Sequence, residues 1–284
     1  MGPWLHHVVW GGLAQCLYQV VFIAGPFVLL GLLLHGLEGA VQGRLSRRFG
    51  WKSVLWTGWL GTPVHELSHA LFCLLFRHRI EEIALFRPDP SLGRLGYVNH
   101  TYDPRSRYQV VGNFFIGTAP FLGGALALYG LLWLFDPRTA RHALSGGGLA
   151  SAVAGGNLAA GGRALWEQSF GVLSGVITWG HLSSLPFWFF LYGVLCIGSH
   201  TAPSGTDYRG AREGGAVLLG ALLVLNVLFL ALGGRAGAVT AAMAGVTGPA
   251  LALMALASVL CLLAAGVVML LTDVLFVSPW HRQG

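Results

Sequence analysis

Six apolar runs, each near the length that crosses a bilayer, limit what this chain can fold into. They cover roughly 17–38, 52–76, 109–135, 182–199, 213–234 and 249–275, and a spanning helix needs about 20 such residues. Only 10% of the 284 residues are charged, and the mean hydropathy is +0.66. A soluble domain carries about 25% charged residues, so this surface cannot be wetted throughout. The shortage runs along the whole length, which excludes a soluble enzyme on a single anchor. The expected fold class is all-α and polytopic, with about six transmembrane helices in one transmembrane domain over 1–284.

Formal net charge is +6, from 17 Lys+Arg against 11 Asp+Glu. These cations sit in short segments between apolar runs, as membrane-flanking cations do. No basic face is interleaved with aromatics, so nucleic acid is not an expected partner; the lipid bilayer is. The clearest cluster, Arg44, Arg47, Arg48 and Lys52, points to a cytoplasmic loop and an outside N-terminus. Segment 77–108 opposes strict alternation, since it carries Arg77, Arg79, Arg87, Arg94, Arg105 and Arg107. The four cysteines (Cys16, Cys73, Cys196, Cys261) form no C-x-x-C pair and read as small buried apolar residues. The N-terminal MGPWLHHVVWGG lacks a basic region and does not read as a removable signal.

Between the runs, residues 92–102 alternate enough around Tyr97, Val98 and Thr101 to form a short β-hairpin strand. Residues 144–163 are rich in Gly and Ala and are expected as a loop, with a small-residue helix as the alternative. Residues 166–181 suit an interfacial helix. There is no internal repeat.

The second run contains His65-Glu66-Leu67-Ser68-His69. On a helix, residues four apart differ by about 40° and about 6 Å of rise, so His65 and His69 can turn their imidazoles to one ion. Glu66 beside them is placed to take a proton from water rather than to ligate. Two nitrogen ligands, a base and an open position are the mechanical content of H-E-x-x-H, and two imidazoles favour zinc. Thr62-Pro63 upstream suits an N-cap and first turn. Alternatively the helix runs from near Lys52 with Pro63 as a kink. Ionisable groups within a spanning run are costly and usually functional.

A catalytic site of this kind needs a third protein ligand. Glu38, His35 and Asp273 lie near ends of apolar runs, and His100, His181 and Glu167 lie outside them. The strongest candidates fall in the polar break Ser199–Gly210, where Asp207 leads and His200 is the alternative. The bland account of Asp207 is a solvated acid paired with Arg209 or Arg212.

These residues resemble the site-2-protease-like family of intramembrane zinc metalloproteases, in a divergent branch, over about 52–230. His65, Glu66 and His69 match its first motif. Pro203-Ser204-Gly205-Thr206-Asp207 is similar to a Pro-Ser-x-x-Asp form of its second, with Thr206-Asp207-Tyr208 in place of Leu-Asp-Gly. Gly117-Thr118-Ala119-Pro120 resembles the family's Gly-Pro stretch, although the nearest Asn, Asn113, lies upstream of it. The resemblance implies Zn2+, a bilayer-embedded site and a transmembrane or membrane-proximal protein substrate. It also implies that substrate unwinds and pairs with an edge strand, for which 97–101 is placed.

The expected activity is therefore peptide-bond hydrolysis, with His65, His69 and Asp207 as metal ligands and Glu66 as the catalytic base. The expected location is a multi-pass position in a prokaryotic plasma membrane. The alternative from another class is a non-catalytic membrane receptor or scaffold with a residual zinc site. Glu66 argues against it, because structural zinc needs no base. A metal transporter would show ligand pairs across several helices, and only one span is ligand-rich.

Overall fold

The computed structural model describes residues 2–91, 93–144, 151–152, 155, 157–235 and 237–275. Helix α1 (Pro3–Gln19) passes through a π-helical turn (Val20–Ala24) into α2 (Gly25–Phe49). Then follow α3 (Ser53–Leu75), strands β1 (Arg79–Ala84) and β2 (Tyr97–Thr101), and α4 (Arg107–Phe135). Next among the described residues come the helices α5 (Pro137–Leu144), α6 (Leu158–Val176), α7 (Trp179–Leu182), α8 (Leu185–Gly198), α9 (Gly205–Ala231) and α10 (Ala238–Leu275).

Among the described residues, four helical stretches are long and apolar enough to cross a membrane: Trp4–Phe49, Arg107–Phe135, Gly205–Ala231 and Ala238–Thr272. The expected span at 182–199 is a helix of only 14 residues, about 21 Å against a hydrocarbon core of about 30 Å. The span placed at 213–234 starts earlier, at Gly205, because Thr206 to Glu213 are helical without being apolar. The expected loop over 144–163 lies partly outside the described residues, and from Leu158 onward the chain is helix α6, which also takes in most of 166–181. The backbone of Asp273 belongs to α10, and its side chain is outside the described residues.

Helix α3 shows the packing logic. Its buried face carries Ser53, Thr57, Gly58, Gly61, Thr62, Glu66, Ser68 and His69, whereas Trp56, Trp59, Leu67, Leu71 and Leu74 are exposed. That is the reverse of a soluble amphipathic helix, and small inward residues let neighbouring backbones close in. A Cβ on Gly61 would lie 2.0 Å from the Cys196 carbonyl of α8, and one on Gly117 of α4 would lie 2.4 Å from the Asp207 carbonyl of α9. Thr62 is not an N-cap: the helix already runs from Ser53, and Pro63 sits inside it. Packing of the preceding turns holds the helix through the one backbone bond that proline cannot give.

The apolar core lies between α4, α8 and α10, with Leu128 and Leu132, Phe187 and Phe190, Leu256 and Leu260 fully or nearly buried.

The hairpin is present, but its first strand is 79–84 rather than part of 92–102. The antiparallel register pairs Ile80 with His100 and Ala84 with Tyr97, with a bulge between Ile80 and Glu82. It folds back along α3. Leu95 packs at Gly58, some 17 residues or about 25 Å below the end of α3, and Gly96 lies against Thr62 and Glu66. The Arg87 amide bonds the Leu95 carbonyl at 2.6 Å. Arg87 and Arg94 therefore lie toward the same end of α3 as Arg44, Arg47, Arg48 and Lys52, which removes part of the conflict in the charge pattern.

Candidate metal centre

His65 and His69 lie one turn apart on the buried face of α3. Their Nε2 atoms face each other at 3.1 Å. Each Nδ1 is already committed: that of His65 donates to the His200 carbonyl at 2.7 Å, and that of His69 to the Ile116 carbonyl at 2.8 Å. Those partners fix both tautomers, because a carbonyl can only accept. In the neutral rings the two Nε2 lone pairs then face one another, and a proton or a metal ion between them satisfies both. A backbone carbonyl on the far nitrogen is also the usual support of a metal-ligating imidazole.

Asp207 supplies the negative charge. Its Oδ1 lies 3.5 Å from His69 Nε2 and its Oδ2 lies 3.8 Å from His65 Nε2. Sequence dictates this placement through a capping box. Ser204 is the N-cap of α9, its hydroxyl takes the Asp207 amide, and Asp207 Oδ2 accepts from the Ser204 amide and hydroxyl, each at 2.7 Å. Gly117 allows the first turn of α9 to reach α3 past α4. Ligand atoms of His65, His69 and Asp207 all lie within 4.8 Å of one another, so these three side chains can hold a metal ion. Asp207 faces the histidines, and among the described residues it makes no ion pair with Arg209 or Arg212. The ring of His200 lies against Gly58 and Gly61 instead; its backbone, not its imidazole, serves the centre.

Glu66 is 8% exposed and lies beneath Gly96, whose Cβ, if present, would fall 2.9 Å from Glu66 Cγ. It lines the same cleft as the three candidate ligands. The cleft holds about 830 Å³ and is walled by α3, by the hairpin from Gly93 to His100, by Asn113 and Gly117 of α4, and by the turn that carries Asp207. The sheet has two strands, so β2 keeps one edge without a strand partner among the described residues.

A second histidine pair stands beside the centre. His78, 4% exposed, donates Nε2–H to the Gln109 carbonyl at 2.9 Å and meets His100 at 3.0 Å, Nδ1 to Nδ1. His100 must then donate, which leaves its Nε2 unprotonated on a cleft-lining residue. Burial holds both imidazoles below their ordinary value, with the neighbouring histidine adding to the effect at His100. Sequence pattern does not foretell this pair, because its partners come from a turn, a strand and the start of α4.

No protein-family model, curated protein or solved structure matches this chain.

Proposed function

We propose that the chain is a multi-pass intramembrane zinc metalloprotease that hydrolyses peptide bonds of membrane-spanning or membrane-proximal proteins. One observation carries the reading: Nε2 of His65, Nε2 of His69 and the Asp207 carboxylate converge within 4.8 Å, with both Nδ1 atoms held by backbone carbonyls. The donor set, two nitrogens and one oxygen beside an unligated Glu66, suits zinc with an open position.

In this reading α3 and the short α8 join the four long apolar helices to make six crossings. His65 lies twelve residues into α3, about 18 Å along it and near mid-membrane. Backbone that is not helical survives at such depth only where it lines a wet cavity, which is where β2 runs. An extended substrate segment adds to the open edge of β2, so its amide groups are paired while its scissile bond lies over the ligands. A zinc ion held by His65, His69 and Asp207 would supply Lewis acidity to the attacking water and the scissile carbonyl. Glu66 takes a proton from that water and returns it to the departing amine nitrogen, so one C–N bond breaks and one water is consumed.

The test is metal analysis of purified protein coupled to cleavage of a transmembrane reporter. Glu66→Gln should keep its metal while the rate falls by about 10²–10⁴, the usual worth of a general base. His65→Ala and His69→Ala should lose the metal. A Glu66→Gln protein that cleaves at the wild-type rate ends the protease reading. Metal without cleavage in the wild type leaves the receptor or scaffold.

A further inference from the structure

The cleft continues past the metal centre to polar side chains that hydrolysis does not use: Glu38 and Gln42 of α2, Thr62 of α3, and His200. Gln42 and His200 spend their protons elsewhere. Gln42 gives its amide N–H groups to the Thr57 hydroxyl at 3.0 Å and the Ser199 carbonyl at 3.3 Å, and its Oε1 is buried without a partner. His200 donates Nδ1–H to the Cys196 carbonyl at 3.1 Å, which leaves Nε2 as an acceptor. Glu38 takes the Ala202 amide at 3.0 Å on Oε2 and has no ion-pair partner among the described residues. Thr62, only 5% exposed, has its hydroxyl oxygen buried and unbonded. Buried polar atoms left unpaired are costly, so such a group calls for a ligand that supplies what it lacks.

The missing element is a donor. Acceptors predominate here, among them Gln42 Oε1, His200 Nε2 and the second oxygen of the Glu38 carboxyl group, and the ligand that complements them brings several N–H groups. Lysine and arginine side chains meet that description. We propose that Glu38, Gln42, Thr62 and His200 form a subsite for a basic side chain of the bound peptide, an inference that rests on the protease reading. The loop after α8 ties the subsite to the reaction centre: the His200 carbonyl holds His65, and two residues on the Ala202 amide holds Glu38. Bond lengths then keep these two side chains within roughly 10 Å. An extended peptide advances about 3.3 Å per residue, so the basic residue falls within about three residues of the bond cut. Lys and Arg that flank spanning segments, with stems in lipid and heads at polar ground, are residues of this kind.

The experiment separates binding from hydrolysis. Labelled transmembrane peptides, with Lys or Met at successive positions around the scissile bond, are titrated against full-length Glu66→Gln protein. Lys should bind at least tenfold more tightly than Met at one position within three residues of that bond. Glu38→Gln added to this background, isosteric and still able to accept the Ala202 amide, should bring the ratio to within twofold. Thr62→Val, which removes only the hydroxyl, should lower it part of the way. Equal binding of Lys and Met at every position, or a Lys preference that both variants leave intact, overturns the subsite. Cleavage of the Met peptide by the wild-type protein is scored separately. If that cleavage occurs while no Lys preference is found, the subsite fails and the protease reading stands. If no peptide is bound or cut, both fall.

Discussion

Two groups of polar side chains are buried among apolar helices, and they are built on opposite principles. One is a clasp that joins α1, α9 and α10. Gln19 gives its amide protons to Asn226 Oδ1 at 3.1 Å and the Thr240 hydroxyl at 3.0 Å. Asn226 returns one to Gln19 Oε1 at 2.7 Å and one to the Leu222 carbonyl at 2.9 Å, and Thr240 donates to Gln15 at 3.1 Å. The donors are used and the carbonyl oxygens of both amides are occupied. The other group is the candidate metal centre with its adjoining cleft, where two imidazoles and a carboxylate converge and Thr62 and Gln42 keep unbonded oxygens. The clasp's Gln19, Asn226 and Thr240 are buried throughout, whereas Glu38, Gln42, His65 and Asp207 are half-buried along the cleft. Hydrogen-bond balance differs too: the clasp is closed, whereas the cleft leaves Gln42 Oε1 and the Thr62 hydroxyl unbonded beside the converging imidazoles and carboxylate. A closed set holds helices together, and an open set marks where something binds.

The largest effect that tests this contrast is removal of charge from the open set. Asp207→Asn keeps the shape and leaves an amide facing two lone pairs, so metal affinity should fall by at least a hundredfold in equilibrium dialysis. His200→Ala should keep the metal, because its contact with His65 is made by the backbone. If Asp207→Asn holds metal and His200→Ala does not, the ligand assignments exchange.

Next in size is the support of the ligand. Ser204 orients Asp207 through two bonds of 2.7 Å, of which the hydroxyl makes one. Ser204→Ala removes that bond and the cap, so metal affinity should drop about 10–100-fold, as for other outer-shell partners. Helix stability should fall by about 1 kcal/mol. Calorimetric zinc titration reads the first and thermal unfolding of the metal-free protein reads the second. Unchanged affinity with lowered stability would make Ser204 a cap only.

The motif on α3 was legible because its information is local: a four-residue spacing fixes which way His65 and His69 turn. Asp207 is legible as a charge stranded beside an apolar run, whereas the capping box that orients it carries no hydropathy signal. Ser204-x-x-Asp207 has the form of a capping box, and it announces a helix from Gly205 where hydropathy places the run's start near Gly214. Hydropathy reports lipid contact, and a helix that begins in a wet cleft is invisible to it. Strand β1 was hidden for a related reason. Most of its residues are exposed along Arg79–Ala84, so no alternation marks it, and only pairing with 97–101 gives it form. The His78–His100 pair and the clasp depend on residues brought together from distant parts of the chain, which no spacing rule contains.

The smallest expected effect falls on the closed set. Because Gln19 and Asn226 satisfy one another, Asn226→Leu leaves Gln19, 1% exposed, with an orphaned carbonyl oxygen and one donor fewer in use. In water-soluble cores such a loss costs about 1–3 kcal/mol, but in lipid the separated helices find other partners and measured couplings average about 0.6 kcal/mol. Unfolding in mixed micelles should therefore show about 0.6–2 kcal/mol lost in Asn226→Leu and in Gln19→Leu. Less than the sum of the two should be lost in the double variant, since both ends of the pair are then apolar. Zinc affinity should stay within twofold in all three. A clasp variant that loses metal as well would show that the two sets are one coupled network, and the distinction between closed and open would not separate structure from function in this molecule.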